Sequence, residues 1–279
     1  MSNPLISVIL PAHNEEKYLK ATFDSLLTQT FSDFELIVVN DGSTDNTGKL
    51  LAEYAALDAR VRIIHNEFSL GLIGALNKGI SFAKGKYIAR IDSGDTATPD
   101  RFQKQFEYME SHKDVYILGS WAYVIDPESR IVAEWVTPIA VDSKVLYQRN
   151  GIVHPAVLIK KELFDTLKGY DRRYSNAEDY ELWARAIRGG FKIRNLQEFL
   201  TSIMERRIGM SIKDLRKRAW DRFRVKARYL AVFFCLTNLF STLRSFIACS
   251  LPVPVFIYLE RKYGKTLTGK TYLKGNQAR

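Results

Sequence analysis

Apolar residues in the first ninety positions follow two alternating rhythms. Leu5–Leu10, Phe34–Val39, Arg60–His65 and Lys86–Ile91 are short runs fit for strands. Between them, Leu19, Thr22, Phe23, Leu26 and Leu27 share one helical face, Thr47–Tyr54 begins a second helix, and Gly74–Ala83 forms a third. Strand runs apolar on both faces, alternating with helices through short links, predict a mostly parallel sheet covered on both sides. Beyond Asp95 the rhythm changes. Pro99 suits the first turn of a helix through Phe102, Phe106 and Met109. Val115–Ile125 and Gly151–Ile159 read as strands, and Asp179–Ile187 as a helix.

The C-terminal part differs in kind. Ile212, Leu215, Ala219, Phe223 and Ala227 fall on one helical face, with Arg and Lys crowding the other. Two apolar stretches follow, Tyr229–Leu243 and Ser245–Leu259, separated by Arg244 and broken in the second by Pro252 and Pro254. Each is shorter than the roughly 20 residues needed to span a bilayer. A basic amphipathic helix leading into short apolar segments reads as an in-plane membrane anchor, the alternative being a helix docked on the rest of the chain. We therefore expect a catalytic domain over residues 1–208 and a helical, membrane-associating extension over 209–279.

Composition narrows the function classes. The 279 residues are 46% hydrophobic, which excludes a disordered chain, and carry a net charge of +10. The positive charge concentrates between Arg206 and Arg228, implying a polyanionic partner such as anionic lipid head groups or nucleic acid. No recognised nucleic-acid module accompanies that run, so a nucleic-acid-binding protein is the weaker reading. Cys235 and Cys249 sit in apolar surroundings and read as small hydrophobes; no Cys/His spacing suits zinc. The N-terminus lacks the charged and apolar regions of a signal peptide, so the expected location is the cytoplasmic face of the cell membrane, peripheral or monotopic.

The candidate chemistry lies where strands end. Val39-Asn-Asp-Gly-Ser-Thr-Asp45 and Ile91-Asp-Ser-Gly-Asp95 each release carboxylates after an apolar run, and ligands of open α/β sheets bind outside the carboxyl ends of the strands. Pro11-Ala-His-Asn-Glu-Glu16 follows the first strand with short polar residues and free backbone N–H groups suited to a nucleotide. A nucleotidyltransferase would place a glycine-rich, basic phosphate loop there, and this turn is acidic.

These segments, with Pro99-Asp-Arg-Phe102 and Ala177-Glu-Asp-Tyr-Glu-Leu-Trp183, resemble in order the family 2 glycosyltransferases of GT-A fold, nearest to bacterial enzymes of surface-polysaccharide synthesis. The resemblance covers about Pro4 to Ile208 and implies an α/β, mainly parallel sheet with helices on both faces. It implies that Pro11, Ala12, Asn14 and Glu15 line the nucleoside pocket, that Asp41 accepts from a uracil N–H, and that Asn77, Arg90 and His154 lie near the diphosphate. Asp179 would be the general base toward an acceptor hydroxyl, with Glu178 orienting that acceptor. Residue by residue, plainer roles stay open: a cap for Asn14, a turn for Asp41, helix-dipole complementarity for Glu178 and Asp179.

The usual family motif is Asp-X-Asp-Asp, with a metal ligand in the middle; here that position is Gly94. Asp95, supported by Asp92, is the expected ligand for Mg2+ or Mn2+, and the departure leaves metal dependence open. The implied reaction moves a hexose or N-acetylhexosamine from a nucleotide sugar, expected to be UDP-linked, to a saccharide acceptor. Anchor chemistry suggests that a polyprenyl diphosphate carries this acceptor. The alternative is a degenerate relative that binds nucleotide sugar without turnover.

Overall fold

The computed structural model of the chain describes residues 3–205, 212–251, 255 and 270–272, with residues 212–215, 270 and 272 described by backbone alone. The expected βα alternation opens the fold: β1 (Ile6–Ala12), α1 (Leu19–Leu27), β2 (Phe34–Asp41), α2 (Thr47–Leu57), β3 (Val61–Asn66), α3 (Gly71–Phe82) and β4 (Tyr87–Arg90). β1 pairs in parallel with β2 and β4, and β2 with β3, in register Ile9↔Ile37 and Ile9↔Arg90.

Alternation along these strands sorts side chains to opposite faces. Ile9, Ile37, Val39 and Ile88 face the layer holding α3, whereas Val8, Leu10, Leu36, Val38 and Ala89 face the layer of α1 and α2. Both faces are therefore covered, and the strand ends supply the site.

A short strand β5 (Thr96–Ala97) follows the second acidic turn, then α4 (Arg101–Ser111), β6 (Val115–Ile125), β7 (Ile131–Trp135), β8 (Ala140–Val141) and α5 (Ser143–Gln148). The run expected as a strand over 151–159 differs. His154–Ala156 forms a 3-10 turn, and only β9 (Leu158–Lys160) pairs, antiparallel to β4 and β6. Pro155 has no N–H to give a ladder and favours such a turn. After α6 (Lys161–Leu167) and α7 (Glu178–Arg188), β10 (Lys192–Met204) runs parallel to β6 and returns its C-terminal end to β5. β10 has no alternation strong enough to read from sequence, yet it closes one wall of the site. β11 (Lys270–Tyr272) pairs with β7.

Two helices complete the description, α8 (Ile212–Tyr229) and α9 (Leu236–Ser250). α9 runs through Arg244, which was expected to separate two apolar segments. α8 does not bury the face expected for an anchor. Ala219 and Phe223 are half-buried and Ala227 is exposed, while Asp221, Val225, Lys226 and Tyr229 are buried. The side chains of Ile212 and Leu215, together with Arg206, Arg207, Pro252 and Pro254, lie outside the described residues. Val225 and Tyr229 join the core beside Trp183, and the Tyr229 hydroxyl donates to Glu181 at 3.2 Å. α8 is thus braced on α7. Among the described residues no helix is long and apolar enough to cross a membrane.

Candidate functional site

The C-terminal ends of β1, β2 and β4 open on a cleft of about 460 Å³. Of the residues singled out in the sequence, Pro11, Ala12, Glu15, Asp41, Asp92 and Asp95 line it. His13, Ser69, Leu72, Ile203 and Met204 line it too, and were not predicted. A signal for Ser69 was present: the polar residues after β3 lead to Gly71 just where α3 begins. Ile203 and Met204 come from the unforeseen β10.

The turn after β1 is locked to the turn after β2. α1 starts only at Leu19, so the backbone N–H groups of 14–16 are not yet helical, and side chains of the second turn accept from them. Asn14 N donates to Ser43 Oγ at 3.0 Å, Glu15 N to Thr47 Oγ1 at 2.7 Å, and Glu16 N to Asp45 Oδ2 at 3.3 Å. Asn14 has φ of 57°, a left-handed conformation that Asn tolerates, and its Oδ1 accepts from Thr44 N at 2.8 Å. Asn14 therefore ties the two turns together and is not among the residues lining the cleft.

Asp41 is held the same way. Its carboxylate accepts from Asn66 Nδ2 (2.6 Å), Ser69 Oγ (2.7 Å), Leu70 N (2.8 Å) and Gly71 N (2.9 Å). Burial opposes its charge, but these donors outweigh burial and hold its pKa below the usual value. Four donors match the roughly four lone-pair sites of a carboxylate. As it stands, Asp41 fixes the 66–71 loop against the cleft, and a nucleobase N–H would have to share or displace one of these partners. Gly42 makes the arrangement possible. Its φ is 69°, and a Cβ there would lie 2.7 Å from Ser69 N.

In the second acidic turn, Asp95 N donates to Asp92 O at 3.1 Å, and Thr22 Oγ1 bridges Gly94 N and Asp95 O at 2.8 Å each. Gly94 has φ of 92°, and a Cβ would lie 3.1 Å from Met204 Sδ. The missing middle carboxylate is thus a backbone requirement of this turn. Arg90, 5% exposed at the end of β4, places Nη2 2.7 Å from the Asp92 carboxylate. Burial discourages charge on Arg90, but Asp92 and the neighbouring acidic groups keep it cationic. Asp95 Oδ1 accepts from Met204 N at 2.9 Å.

Among the described residues, no group of three or more His, Cys, Asp or Glu converges as a metal site. A protein-only cage is absent there, but Mg2+ and comparable hard cations commonly take one or two carboxylates and complete their shell with phosphate and water oxygens. Asp92 and Asp95, both lining the cleft, fit that shared mode.

Behind this turn lies a buried polar cluster. His154 Nε2 is 2.8 Å from the Tyr170 hydroxyl, and its Nδ1 is 3.8 Å from Glu178 Oε1. Burial, then the charge of Arg90, holds the His154 pKa well below its ordinary value, so the imidazole is neutral. His154 does not line the cleft. Neither does Asn77, whose amide exchanges hydrogen bonds with the Tyr170 backbone at 2.9 and 2.8 Å and so positions this cluster.

Glu178 and Asp179 begin α7. Burial and the neighbouring charge of Asp179 raise the Glu178 pKa to about 7. Asp179 is half-buried; its Oδ2 accepts from Asn150 Nδ2 at 2.9 Å and its Oδ1 from Tyr180 N at 2.6 Å. Asn150 was missed in the sequence, since an isolated Asn before Gly151 carries no pattern. Two aligned donors keep this carboxylate oriented, while Glu178 stores a proton near neutrality.

Comparison with known proteins adds four findings. A family profile described as Glycosyl transferase family 2 matches residues 7–167, a span that ends before Glu178. The O-antigen biosynthesis glycosyltransferase WbnJ of Escherichia coli is 36% identical over 200 residues, covering 70% of this chain and 78% of that protein. The Escherichia coli UDP-Glc:alpha-D-GlcNAc-diphosphoundecaprenol beta-1,3-glucosyltransferase WfgD is 30% identical over 229 residues, 79% of this chain and 86% of its own. Among solved structures, mannosyltransferase PcManGT from Pyrobaculum calidifontis, in complex with GDP-Man and Mn2+, aligns with a TM-score of 0.63. That alignment covers 94% of this chain and 81% of the mannosyltransferase at 17% identity, a likeness of fold.

Proposed function

Because this chain belongs to glycosyltransferase family 2, we propose that it is an inverting transferase moving a hexose or N-acetylhexosamine from a UDP-sugar to a lipid-linked saccharide. The observation that carries this reading is the cleft at the strand ends, where Pro11, Asp41, Asp92 and Asp95 meet in one lining. The name of WfgD, a UDP-glucose enzyme acting on a diphosphoundecaprenol-linked sugar, supports the donor and acceptor classes.

The displacement is a single step. The acceptor oxygen attacks the anomeric carbon as the bond from that carbon to the diphosphate oxygen breaks. Asp179 takes the hydroxyl proton, oriented for it by Asn150 Nδ2 and Tyr180 N. Glu178, protonated near neutral pH, can donate to an acceptor oxygen and adds no second negative charge beside the base. Pro11, Ala12 and Glu15 bind the nucleoside part, with Asp41 shaping that wall; Asn77, Arg90 and His154 act from behind by holding Tyr170 and Asp92. Asp95 and Asp92 would hold Mg2+ or Mn2+ together with the diphosphate, and the cation would supply charge neutralisation for the leaving group. PcManGT, which carries Mn2+ with its GDP-sugar, supports that assignment by fold alone.

Residues 1–208 form the catalytic unit in this reading, and 209–279 an extension that works at the cytoplasmic membrane surface, where a polyprenyl-linked acceptor is presented. The test is turnover across a panel of UDP-, GDP- and dTDP-sugars with membranes as acceptor source, with Mn2+, with Mg2+ and with chelator. Metal-dependent turnover of one UDP-sugar is expected. Turnover that survives chelator would remove the metal from Asp92 and Asp95, and nucleotide binding with no transfer to any acceptor would favour a degenerate relative.

A further inference from the structure

α9 is built inside out. Asn238, Ser241 and Thr242 face the protein and are 1%, 7% and 5% exposed, whereas Leu236 and Phe240 on the opposite side are each 66% exposed. Leu243 and Ile247 continue that outer stripe at 47% and 58%. Positions 236, 240, 243 and 247 have the spacing of one helical face, and 238, 241, 242 and 245 that of the other. A helix docked on a core in water buries its apolar stripe, and among the described residues nothing buries this one.

The inner face is tied down by hydrogen bonds. Lys226 Nζ donates to Ser241 Oγ and Ser245 Oγ at 3.0 Å each, Ser241 donates to Tyr147 O, and Asn238 Nδ2 donates to Phe233 O at 2.8 Å. The helix cannot turn over to hide Leu236 and Phe240 without losing these bonds. The outer stripe also extends beyond α9. Val232 and Phe234 are exposed just before it, and Phe246 meets Phe223 of α8, which in turn meets a 46% exposed Trp220.

From these observations we propose that the outer face of α9, with Val232, Phe234 and Trp220, docks in the plane of an anionic lipid bilayer. Charge selects this partner over another apolar protein surface. Residues 229–251 contain no Asp or Glu, exposed Arg244 lies within the apolar stripe, and exposed Lys217 stands one helical turn before Trp220. Cations beside an apolar helical face, with an aromatic residue at the boundary, suit lipid head groups above acyl chains. Length fixes the orientation: the 15 residues of α9 extend about 22 Å. That is short of the ~30 Å hydrocarbon core, so the helix lies in the interface and does not span it. α9 supplies most of this face; α8 adds Trp220, while its Val225 and Tyr229 pack beside α7. The inference draws its biological purpose from the proposed lipid-linked acceptor, but its geometry is independent of it.

The test is flotation of the full chain with phosphatidylcholine vesicles, with and without phosphatidylglycerol. Variants are Phe240→Ser/Leu243→Ser/Ile247→Ser, Arg244→Glu, and Leu57→Ser as a control, Leu57 being 79% exposed on α2. Molecular mass in solution and turnover of a UDP-sugar in the absence of vesicles are measured alongside. Wild type and Leu57→Ser should float with phosphatidylglycerol vesicles, the triple variant at least about tenfold less, and Arg244→Glu should lose preference for the anionic lipid. Since their altered side chains face solvent, the triple variant and Leu57→Ser should keep wild-type melting. Absence of wild-type flotation, or equal flotation of the triple variant, overturns the proposal. So does a wild-type dimer that the triple variant converts to monomer without any vesicle binding, which would assign the face to a second copy. Donor turnover separates the two readings: lost flotation with turnover intact removes the docking face and leaves the transferase.

Discussion

Glu178 and Asp179 are adjacent in sequence and opposite in environment. Glu178 is buried against His154 and within reach of the charge on Asp179, and its pKa rises from 4.5 to about 7. A carboxyl raised in the native state binds more protons there than in the unfolded chain between these values. Its contribution to stability is therefore full below pH 4.5, declines as pH rises through that window, and is lost above about 7. Glu178→Gln, neutral at every pH, should melt progressively higher than wild type as pH goes from 5 to 8. A constant difference across that range in thermal scans would contradict the raised pKa. Gly94 gives a second prediction at this scale. Its φ of 92° is unfavourable for any side chain, so Gly94→Ala should lower stability by about 1–2 kcal/mol in denaturant unfolding. Gly94→Asp, which restores the usual family spelling, should lose at least as much.

Among the elements, β1 to β4 were legible as short apolar runs and α1 to α4 by the helical spacing of one apolar face. Their ends moved by a few residues, and α1 began where Leu19 enters the core. What escaped was whatever depends on tertiary partners. β10 carries charged and polar residues that only make sense once β6 and β5 flank it. The Gly151–Ile159 run kept its apolar character but became a 3-10 turn at Pro155. In α8 the pattern pointed to Phe223 and Ala227, and packing on α7 chose Val225 and Tyr229. The cleft shows the same division. Strand-end carboxylates could be read directly, but no periodicity reveals that Asn14 and Asp41 spend their polar atoms on neighbouring turns, or that Asn150 holds Asp179.

Lys226 offers a test of the α8–α9 seam. Burial, followed by repulsion from Arg222 and Arg244, lowers its pKa to about 7 despite the opposing influence of Cys249. A lysine depressed in the native state binds fewer protons there than in the unfolded chain, so stability should rise with pH from about 7 toward 10.5. Lys226→Met should flatten that rise, read as the change in melting temperature between pH 7 and pH 9. An unchanged slope would mean that the ammonium is not buried in solution.

For the molecule as a whole, the site and the extension form one mechanical path. Asp179 sits at the start of α7, and α7 is tied to α8 through Glu181 and Tyr229. α8 holds α9 through Lys226 and its two serine partners. A bilayer contact on α9 would thus set the height and tilt of the helix that carries the base, which suits an acceptor anchored in that bilayer.

Whether Asp179 removes the acceptor proton is read most directly from single-turnover transfer with Asp179→Asn, alongside UDP binding by calorimetry. Transfer should fall by about 10²–10⁴-fold, with UDP affinity within about threefold of wild type. Transfer within a few fold of wild type would assign the base to another residue.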